Sequence, residues 1–505
     1  MAKKSNLIFL ILAILISSVG ILSLFHSRFF LTDDGNSMVI RFSAFYETLR
    51  LGQFPVRFLS RLNFGFGYPV SDFLYPLFMY IGVPIHAIGF SFVSTIKIII
   101  GLGFLSGTVF SYLWLRKLFD EKAALVGAIA YSLFPYHLFD IYKRGSVGEI
   151  LALGIVPFIF WAVEKRSIVL LSLGLGLLIT AHNSLALIFI PIILLYQILS
   201  KEKPLNILKS LLWGLGLSAF FWIPALYDKQ FTVFDITKVS NYKDYFMDVQ
   251  SIILVGIVFF VSIIFGFSYI LKKDKRFYFF LGLTLASFYI TLPISDVVWK
   301  LLPLASLIQF PFRFLSLTTL GVAFLLSYEA FHYRGKMKIF FIIFLISITF
   351  ISARGFFLPQ AFNNYPDTFY STNQDSTTVK NEYMPKWVKI QPSKMPASLI
   401  ELAGSISFLS GNSNNMSFKV SSKKDLTVEV SKVFFPGWKA SVDGKAINIQ
   451  NENPKGLIQI PVSAGDHIVH VYFEEGGLRL FSDLVSAISI VGVFVYFLKK
   501  RKIKI

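Results

Sequence analysis

The chain has 505 residues, of which 55% are hydrophobic and only 15% are charged, and its mean hydropathy is +0.65. A soluble protein carries about a quarter charged residues, so this composition excludes an ordinary soluble enzyme and indicates a polytopic α-helical membrane protein. The absence of cysteine excludes disulfides and cysteine-ligated metal sites. Lys and Arg, which give a net charge of +19, gather at the ends of apolar runs, where they set membrane orientation; no nucleic-acid partner is predicted.

The first apolar run follows a basic start, in "MAKKSNLIFLILAILISSVGILSLF". About 19 apolar residues are enough to cross about 30 Å of hydrocarbon, and no small-residue cleavage motif ends the run. It is therefore predicted to be an uncleaved helix with Lys3 and Lys4 in the cytoplasm.

The positive-inside rule orders the later apolar runs, because one threading places every strongly basic short loop in the cytoplasm. That threading predicts about twelve transmembrane helices, at 7–25, 95–115, 122–139, 149–163, 167–181, 183–199, 205–223, 250–271, 277–293, 312–331, 338–353 and 481–498. It requires the segment 72–90, which contains two prolines, to lie in the outer interface. A true span at 72–90 stays open as the alternative.

The predicted domain order follows from the same threading. Residues 1–354 form a transmembrane domain with a first outer loop at 26–94, and residues 355–395 form a polar outer linker. Residues 396–480 alternate apolar and polar side chains between short turns, which predicts a small extracytoplasmic β-sandwich. The composition of this β-domain favours a binding or scaffolding role over catalysis. Residues 481–505 form the last helix and a basic cytoplasmic tail.

The stretch "TDDG" places Asp33 and Asp34 just after the first helix, on the predicted outer membrane surface. An aspartate there can act as a general base or hold a metal ion. As base, it would take a proton from an acceptor hydroxyl while a sugar leaves a lipid phosphate. The alternative is a polar turn that caps the next helix, since Asp is a good N-cap residue.

Several cations in outer loops run against the orientation rule: Arg57, Arg61, Lys143, Arg144 and Arg313. Binding of an anionic headgroup or phosphate would explain them, as would interfacial snorkelling. Arg313 is the strongest phosphate candidate, because Pro311 fixes its turn and a guanidinium can bind phosphate with two N–H groups. His182 and Asn183 either contact the donor phosphate or sugar or form a plain hairpin turn.

Six segments carry a resemblance to a known family, in chain order: "LGQFPVRFLSRLNFGFGYPVSDFLYPL" (51–77), "YSLFPYHLFDIYKRGSVGEILALGIVPFIFWA" (131–162), "AHN" (181–183), "QFPFRFL" (309–315), "NEYMPKW" (381–387) and "FFPGWKASVDGK" (434–445). With them the chain resembles the multi-spanning glycosyltransferases of the GT-C fold. It is most similar to the membrane proteins called 6-pyruvoyl-tetrahydropterin synthase-related, and its end resembles the YfhO-like membrane glycosyltransferases. The resemblance covers nearly the whole chain.

The resemblance implies an aspartate at the start of the first outer loop, matched by Asp34 or Asp33, and an Arg–Glu pair matched by Arg144 and Glu149. Asp34, Asp33 and Glu149 are therefore predicted to be catalytic, and the predicted donor-phosphate residues are Arg144, Arg313, His182 and Asn183. The resemblance also implies an inverting glycosyltransferase in a prokaryotic plasma membrane; the charge-based threading places both termini in the cytoplasm. A polyprenyl-phosphate sugar would be the donor, and an extracytoplasmic glycan, lipid or envelope polymer the acceptor.

Relatives in this family often have a histidine near this aspartate and a second one a few residues later. In this chain Met38 stands at the second of these positions. No clear metal motif is present and no metal ligand is assigned; a divalent cation as cofactor is left open. The pterin-synthase chemistry itself, which uses a three-histidine zinc site in a soluble fold, has no match. The alternatives to a transferase are a flippase or transporter of lipid-linked saccharides, and a non-catalytic envelope scaffold.

Overall fold

The computed structural model describes residues 2–237, 241–301, 308–401 and 405–502. Its helices, in chain order, are α1 Ala2–Ser17, α2 Gly35–Arg50, α3 Val70–Phe73, α4 Leu77–Ala87, α5 Phe92–Leu118, α6 Glu121–Ser132, α7 Pro135–Phe139, α8 Val147–Glu164, α9 Ile168–Ala181, α10 Asn183–Leu199, α11 Pro204–Leu217, α12 Ala219–Asp228, α13 Gly256–Phe267, α14 Lys275–Tyr289, α15 Asp296–Leu301, α16 Leu315–His332, α17 Gly335–Ala353, α18 Asp367–Thr372 and α19 Gly477–Lys502.

Seven helical segments in the described parts of the chain are long and apolar enough to cross a membrane: 6–25, 92–118, 121–144, 147–164, 311–332, 335–356 and 477–499. Two bent pairs bring the number to nine: α11 and α12 meet at 70°, and α14 and the segment 293–301 at 92°. The predicted helical membrane protein is confirmed. The number twelve stays a prediction, since α9, α10 and α13 are apolar but have only 14, 17 and 12 residues.

The predicted interfacial segment 72–90 contains α4, which has 11 residues. A helix of that length is about 16 Å long, well short of the roughly 30 Å of a membrane core. Pro76 precedes the helix, and Pro84 lies inside it. The observed length therefore agrees with a segment that does not cross the membrane by itself.

Close packing of α5 on α8 forms the centre of the helical part. Gly103 and Gly154 face each other so closely that a Cβ on Gly154 would lie 2.4 Å from the Gly103 carbonyl oxygen. Small residues let helix backbones approach in this way inside membranes. This packing holds the start of α8 beside the C-terminal end of the segment 121–144, where the candidate site lies.

The eight strands are β1 Ile400–Glu401, β2 Ser405–Asn412, β3 Asn415–Ser422, β4 Leu426–Val433, β5 Trp438–Val442, β6 Lys445–Ile447, β7 Leu457–Val462 and β8 Gly465–Phe473. They form two antiparallel sheets, one in the order β1-β4-β7 and one in the order β2-β3-β8-β5-β6. Asp443 and Gly444, both at positive φ, connect β5 to β6, as a type I′ hairpin requires. A small all-β domain at the C-terminal end is thereby confirmed.

The first loop, residues 26–94, packs directly on the later polar part of the chain. The amide of Leu31 donates to Ala361 (2.8 Å), and the amide of Val433 in β4 donates to Phe66 (2.8 Å). The buried ammonium of Lys432 donates to the carbonyls of Ser60 and Gly65. Because these segments contact each other, they lie on the same side of the membrane.

Candidate functional site

The "TDDG" turn is built so that Asp34 does not cap the helix that it precedes. The hydroxyl of Thr32 accepts from the Gly35 amide at 3.0 Å, while the Asp34 side chain makes no capping bond to α2. The amides of Asp33 and Asp34 instead donate to the carbonyls of Lys143 (2.9 Å) and Arg144 (2.8 Å). The turn is thus fixed to the C-terminal end of the segment 121–144, and the Asp34 carboxylate does not take part in capping α2.

Residues Asp140–Arg144 form a π-helical turn, a distortion often found at functional sites. Gly145 follows at φ +66°, a backbone conformation that favours glycine. A Cβ at Gly145 would also lie only 2.4 Å from the Thr32 hydroxyl oxygen. The widened turn and the glycine together allow the "TDDG" turn to approach Arg144.

Glu149, fully buried at the start of α8, is the centre of the charged cluster. Its Oε1 accepts from Arg144 Nη1 at 2.5 Å and from Arg313 Nε at 2.9 Å. Its Oε2 accepts from the Tyr136 hydroxyl at 3.3 Å. Arg144 Nη1 also contacts Asp140 at 3.0 Å, and Arg144 Nη2 lies 3.9 Å from the Asp34 carboxylate. Asp34, Arg144, Glu149 and Arg313 therefore converge from four separate segments.

Arg313 lies in the short helical turn Pro311–Phe314 that precedes α16. Its Nη1 donates to the carbonyl of Ile308 at 2.6 Å, and its guanidinium lies 4.8 Å from the centre of the Phe310 ring. The Arg144 guanidinium lies 5.1 Å from the Phe312 ring. Aromatic faces stabilise both cations and keep them in place.

His182 joins the cluster, whereas Asn183 does not. Nδ1 of His182 accepts from the Leu185 amide at 3.2 Å, so in the neutral imidazole the proton is on Nε2, which lies 3.5 Å from Glu149. Asn183 instead donates to the Phe73 carbonyl at 3.1 Å, and thereby fixes the first loop. Asp33 is also apart from the centre, since its carboxylate pairs with the half-exposed Lys143 at 3.4 Å.

The Asp34 side chain is 40% exposed, yet enough protein surrounds its carboxylate to raise the pKa above the ordinary value. Desolvation is the largest cause, and the nearby positive charge of Arg144 opposes it. A carboxylate with a raised pKa is a stronger base and still faces solvent. These are the properties that a general base needs.

An apolar groove opens beside the cluster, with a volume of about 230 Å³. It runs between α4, α9 and the bend from α11 to α12, and its lining residues are Pro76, Leu77, Tyr80, Leu173, Gly176, Leu177, Thr180, Leu217 and Phe220. Tyr75 precedes the groove residue Pro76, and the centre of its ring lies 4.7 Å from that of His182. One end of the groove therefore lies next to the charged cluster.

The sequence analysis missed Arg41, which lies in α2 on the same side as Met38 and is 2% exposed. The apolar residues of "MVIRFSAF" indicate a buried helix face, and an arginine within that face was the available signal.

A second buried cluster connects the first loop to the last helix. Arg57 contacts Asp72 (3.4 Å) and Glu475 (3.1 Å), while Arg479 in α19 contacts Asp228 (2.9 Å) and Asp72 (3.5 Å). Asp72 precedes Phe73, the residue that accepts from Asn183. This second cluster braces the elements around the charged site. Sequence analysis had considered Arg57 only as a phosphate or interface residue.

A Ser–His–Asp chain lies on the surface of the β-domain. His467 Nε2 is 3.1 Å from the Ser463 hydroxyl, and its Nδ1 is 2.7 Å from Asp443. The amide of Ala464, next to the serine, already donates to Asp425 at 2.8 Å and cannot stabilise an oxyanion. The arrangement therefore connects two hairpin turns and lacks this part of a hydrolase site.

Within the described residues, no three His, Cys, Asp or Glu side chains come close enough to hold a metal ion.

Residues 72–357 match the 6-pyruvoyl-tetrahydropterin synthase related domain, described as a membrane protein. This match covers more than half of the chain. The chain belongs to this family. No protein with a curated description matches the sequence.

This chain also has distant similarity to solved structures of two glycosyltransferases. The oligosaccharyltransferase of Archaeoglobus fulgidus tethered with an acceptor peptide has 15% identity and a TM-score of 0.44, over 75% of this chain and 60% of that one. The apo form of the same oligosaccharyltransferase has a TM-score of 0.45, with the same identity and coverage. The arabinofuranosyltransferase AftD from Mycobacteria gives 0.47 at 13% identity, over 71% of this chain and 27% of that one. The chain thus spans about three-fifths of the length of the oligosaccharyltransferase and about a quarter of the length of the arabinofuranosyltransferase.

Proposed function

We propose that this protein is a membrane glycosyltransferase with a GT-C-like transmembrane domain. It transfers a sugar from a polyprenyl-phosphate donor to a hydroxyl acceptor at the outer surface of a prokaryotic plasma membrane. The observation that supports this best is the position of Asp34, a partly exposed carboxylate 3.9 Å from a buried Arg–Glu–Arg cluster and fixed to it by backbone bonds.

In the proposed reaction, the Asp34 carboxylate takes the proton of the acceptor hydroxyl as its oxygen attacks the anomeric carbon. The bond from that carbon to the phosphate oxygen breaks, and polyprenyl phosphate leaves as an anion. Attack from the face opposite the leaving group inverts the configuration at the anomeric carbon. The raised pKa of Asp34 favours proton uptake, and Asp33 on the rim would orient the acceptor.

Arg144 and Arg313 supply positive charge where the phosphate leaves. Glu149 is assigned a positioning role rather than proton transfer, because both of its oxygens accept hydrogen bonds and its side chain is fully buried. His182 lies beside this same carboxylate, with its Nε2 3.5 Å from Oε1, and is assigned to the same positioning group. Asn183 is reassigned to the fixation of the first loop.

The apolar groove would take the part of the polyprenyl chain nearest to the phosphate. Its volume of about 230 Å³ is below the 300–1,000 Å³ of a pocket that encloses a whole drug-sized ligand, so it would hold only a section of the chain. An apolar groove next to a charged cluster suits a ligand with an apolar tail and an anionic head.

The test is sugar transfer by the purified full chain in lipid vesicles, with radiolabelled polyprenyl-phosphate sugars and a panel of glycan and lipid acceptors. We expect a labelled acceptor and free polyprenyl phosphate. Movement of an intact fluorescent donor between leaflets, without any labelled acceptor, would favour a flippase instead. The absence of both activities with every donor would favour a scaffold.

A further inference from the structure

Arg41 is a buried cation that the structure holds in one orientation. It lies in α2 about two helical turns after Asp34 and is 2% exposed. Its Nη2 donates to the Thr377 carbonyl at 2.8 Å, and its Nε donates to the Thr377 hydroxyl at 3.3 Å. A guanidinium fixed on two sides by the polar linker is preorganised for a third partner.

No carboxylate of the described residues forms an ion pair with Arg41 within 4.0 Å. Arg144 and Arg313, by contrast, share Glu149, and Arg144 also has Asp140. The Nη1 of Arg41 meets the sulfur of Met38 at 3.4 Å, which is a weak acceptor. A buried cation without a counter-ion is costly, and an anion bound beside Arg41 would remove that cost.

The charge of Arg41 acts on the groups that separate the charged cluster from the apolar groove. Burial raises the pKa of Tyr75 to about 12, and Arg41 is the largest opposing influence. Tyr75 packs on His182 and precedes the groove residue Pro76. Arg41 also opposes the raised pKa of Asp34. Contacts of α2 agree with this position: Asp34 at its start lies 3.9 Å from Arg144, and the ring of Phe45, one turn after Arg41, lies 4.9 Å from that of the groove residue Tyr80.

We propose that Arg41 binds the phosphate group of the ligand, with the Nη1 side of its guanidinium, on the part of α2 that lies between the charged cluster and the apolar groove. The lipid nature of that ligand rests on the proposed function, whereas phosphate recognition by Arg41 does not. A phosphate monoester or diester fits, because its oxygens accept charge-assisted bonds from a fixed guanidinium.

The experiment measures equilibrium binding to the full chain in nanodiscs, without any sugar transfer. Three probes are compared: a radiolabelled polyprenyl monophosphate, a polyprenol of the same length, and inorganic phosphate. The variants are Arg41→Gln and Arg41→Lys, with Arg50→Gln as the matched control, because Arg50 is an exposed arginine at the end of the same helix.

We expect Arg41→Gln to weaken binding of polyprenyl monophosphate about 10- to 100-fold and to leave polyprenol binding unchanged. Arg41→Lys should lose about 3- to 10-fold, since it keeps the charge without the planar fork. If Arg41→Gln does not fold, Arg41→Lys decides by the same comparison. Arg50→Gln should bind all three probes as the wild type does.

Wild-type affinity for polyprenyl monophosphate in both Arg41 variants would overturn the proposal, and so would a wild-type protein that binds no phosphate probe. Inorganic phosphate bound as tightly as the lipid, with the same dependence on Arg41, would identify a site for free phosphate rather than a lipid headgroup. Arg41-dependent binding in a protein that transfers no sugar would keep this inference and reject the proposed function.

Discussion

At the residue scale, Glu149 shows how a buried carboxylate fixes the positions of two cations. Its Oε1 accepts from both Arg144 and Arg313, which come from segments far apart in the sequence. Without Glu149, both guanidinium groups would be buried beside aromatic rings with less compensation. The cost of such a loss is larger than that of any exposed ion pair.

Replacement of Glu149 by glutamine tests this positioning role. Glu149→Gln keeps the shape but removes the charge that two buried arginines share, so we expect a loss of about 3–5 kcal/mol in unfolding free energy. The measurement is thermal unfolding of the purified protein. The control is Glu452→Gln, at an exposed glutamate in the β-domain, which should change little. Equal stability in the two variants would contradict the role of Glu149.

Lys432 makes stability depend on pH. Burial lowers the pKa of this lysine from 10.5 to about 8. Between these values the unfolded chain binds more protons than the folded chain, so the contribution of Lys432 to stability increases as the pH rises from about 8 to 10.5. We expect Lys432→Met to remove that increase in the unfolding temperature. The exposed control Lys424→Met should retain it, and an unchanged slope in Lys432→Met would count against the assignment.

The sequence indicated which residues belong to the candidate site more readily than it indicated what surrounds each of them. Asp34, Arg144, Glu149, His182 and Arg313 were each predicted as candidate site residues, and the structure brings their side chains together. The sequence could not separate them from Asn183 and Asp33, because the direction of a side chain depends on partners far along the chain. Whether a buried arginine has a carboxylate partner depends equally on residues far along the chain.

At the element scale, the last helix is attached to the rest of the molecule by buried charge. Arg479 near the start of α19 contacts Asp228 at the end of α12 (2.9 Å) and Asp72 in α3 (3.5 Å). Its guanidinium also lies 5.5 Å from the Phe435 ring of the β-domain. Four elements that are far apart in the sequence therefore meet at one side chain.

A double-mutant cycle tests this attachment. Because Arg479 and Asp228 are both nearly fully buried, Arg479→Gln and Asp228→Asn should not be additive, and we expect a coupling energy above about 1 kcal/mol in thermal unfolding. The distant pair Arg479→Gln and Glu452→Gln serves as the control. Additive effects in the first cycle would mean that the contact contributes little.

Element types were easier to predict than element shapes. The apolar run 205–223 was predicted as one helix, yet the chain bends by 70° between α11 and α12. Hydropathy continues across the bend, so a pattern based on hydrophobicity alone could not find it. Gly214, Gly216 and Ser218 before the bend, and Pro224 after it, were the local signals. The bend matters because Leu217 and Phe220 line the groove there.

At the scale of the whole molecule, the first loop and the β-domain must share one side of the membrane because they contact each other. The chain has no native cysteine, so single cysteines report sidedness directly. On intact cells, Arg50→Cys and Lys424→Cys should both react with an impermeant thiol reagent. Lys336→Cys, in a predicted cytoplasmic loop, should react only after permeabilisation. Reaction of Arg50→Cys and Lys424→Cys only after permeabilisation would place Asp34 in the cytoplasm and exclude an outer-surface transferase.

The central claim is that Asp34 acts as the base in sugar transfer. The most direct measurement is the initial rate of transfer from a polyprenyl-phosphate sugar, at saturating donor, by wild type, Asp34→Asn and Asp33→Asn, each shown to be folded by thermal unfolding. We expect Asp34→Asn to lose about 10²–10⁴-fold in rate, the usual share of general-base catalysis, and Asp33→Asn to lose less. A wild-type rate in Asp34→Asn would contradict the account and leave "TDDG" as a structural turn.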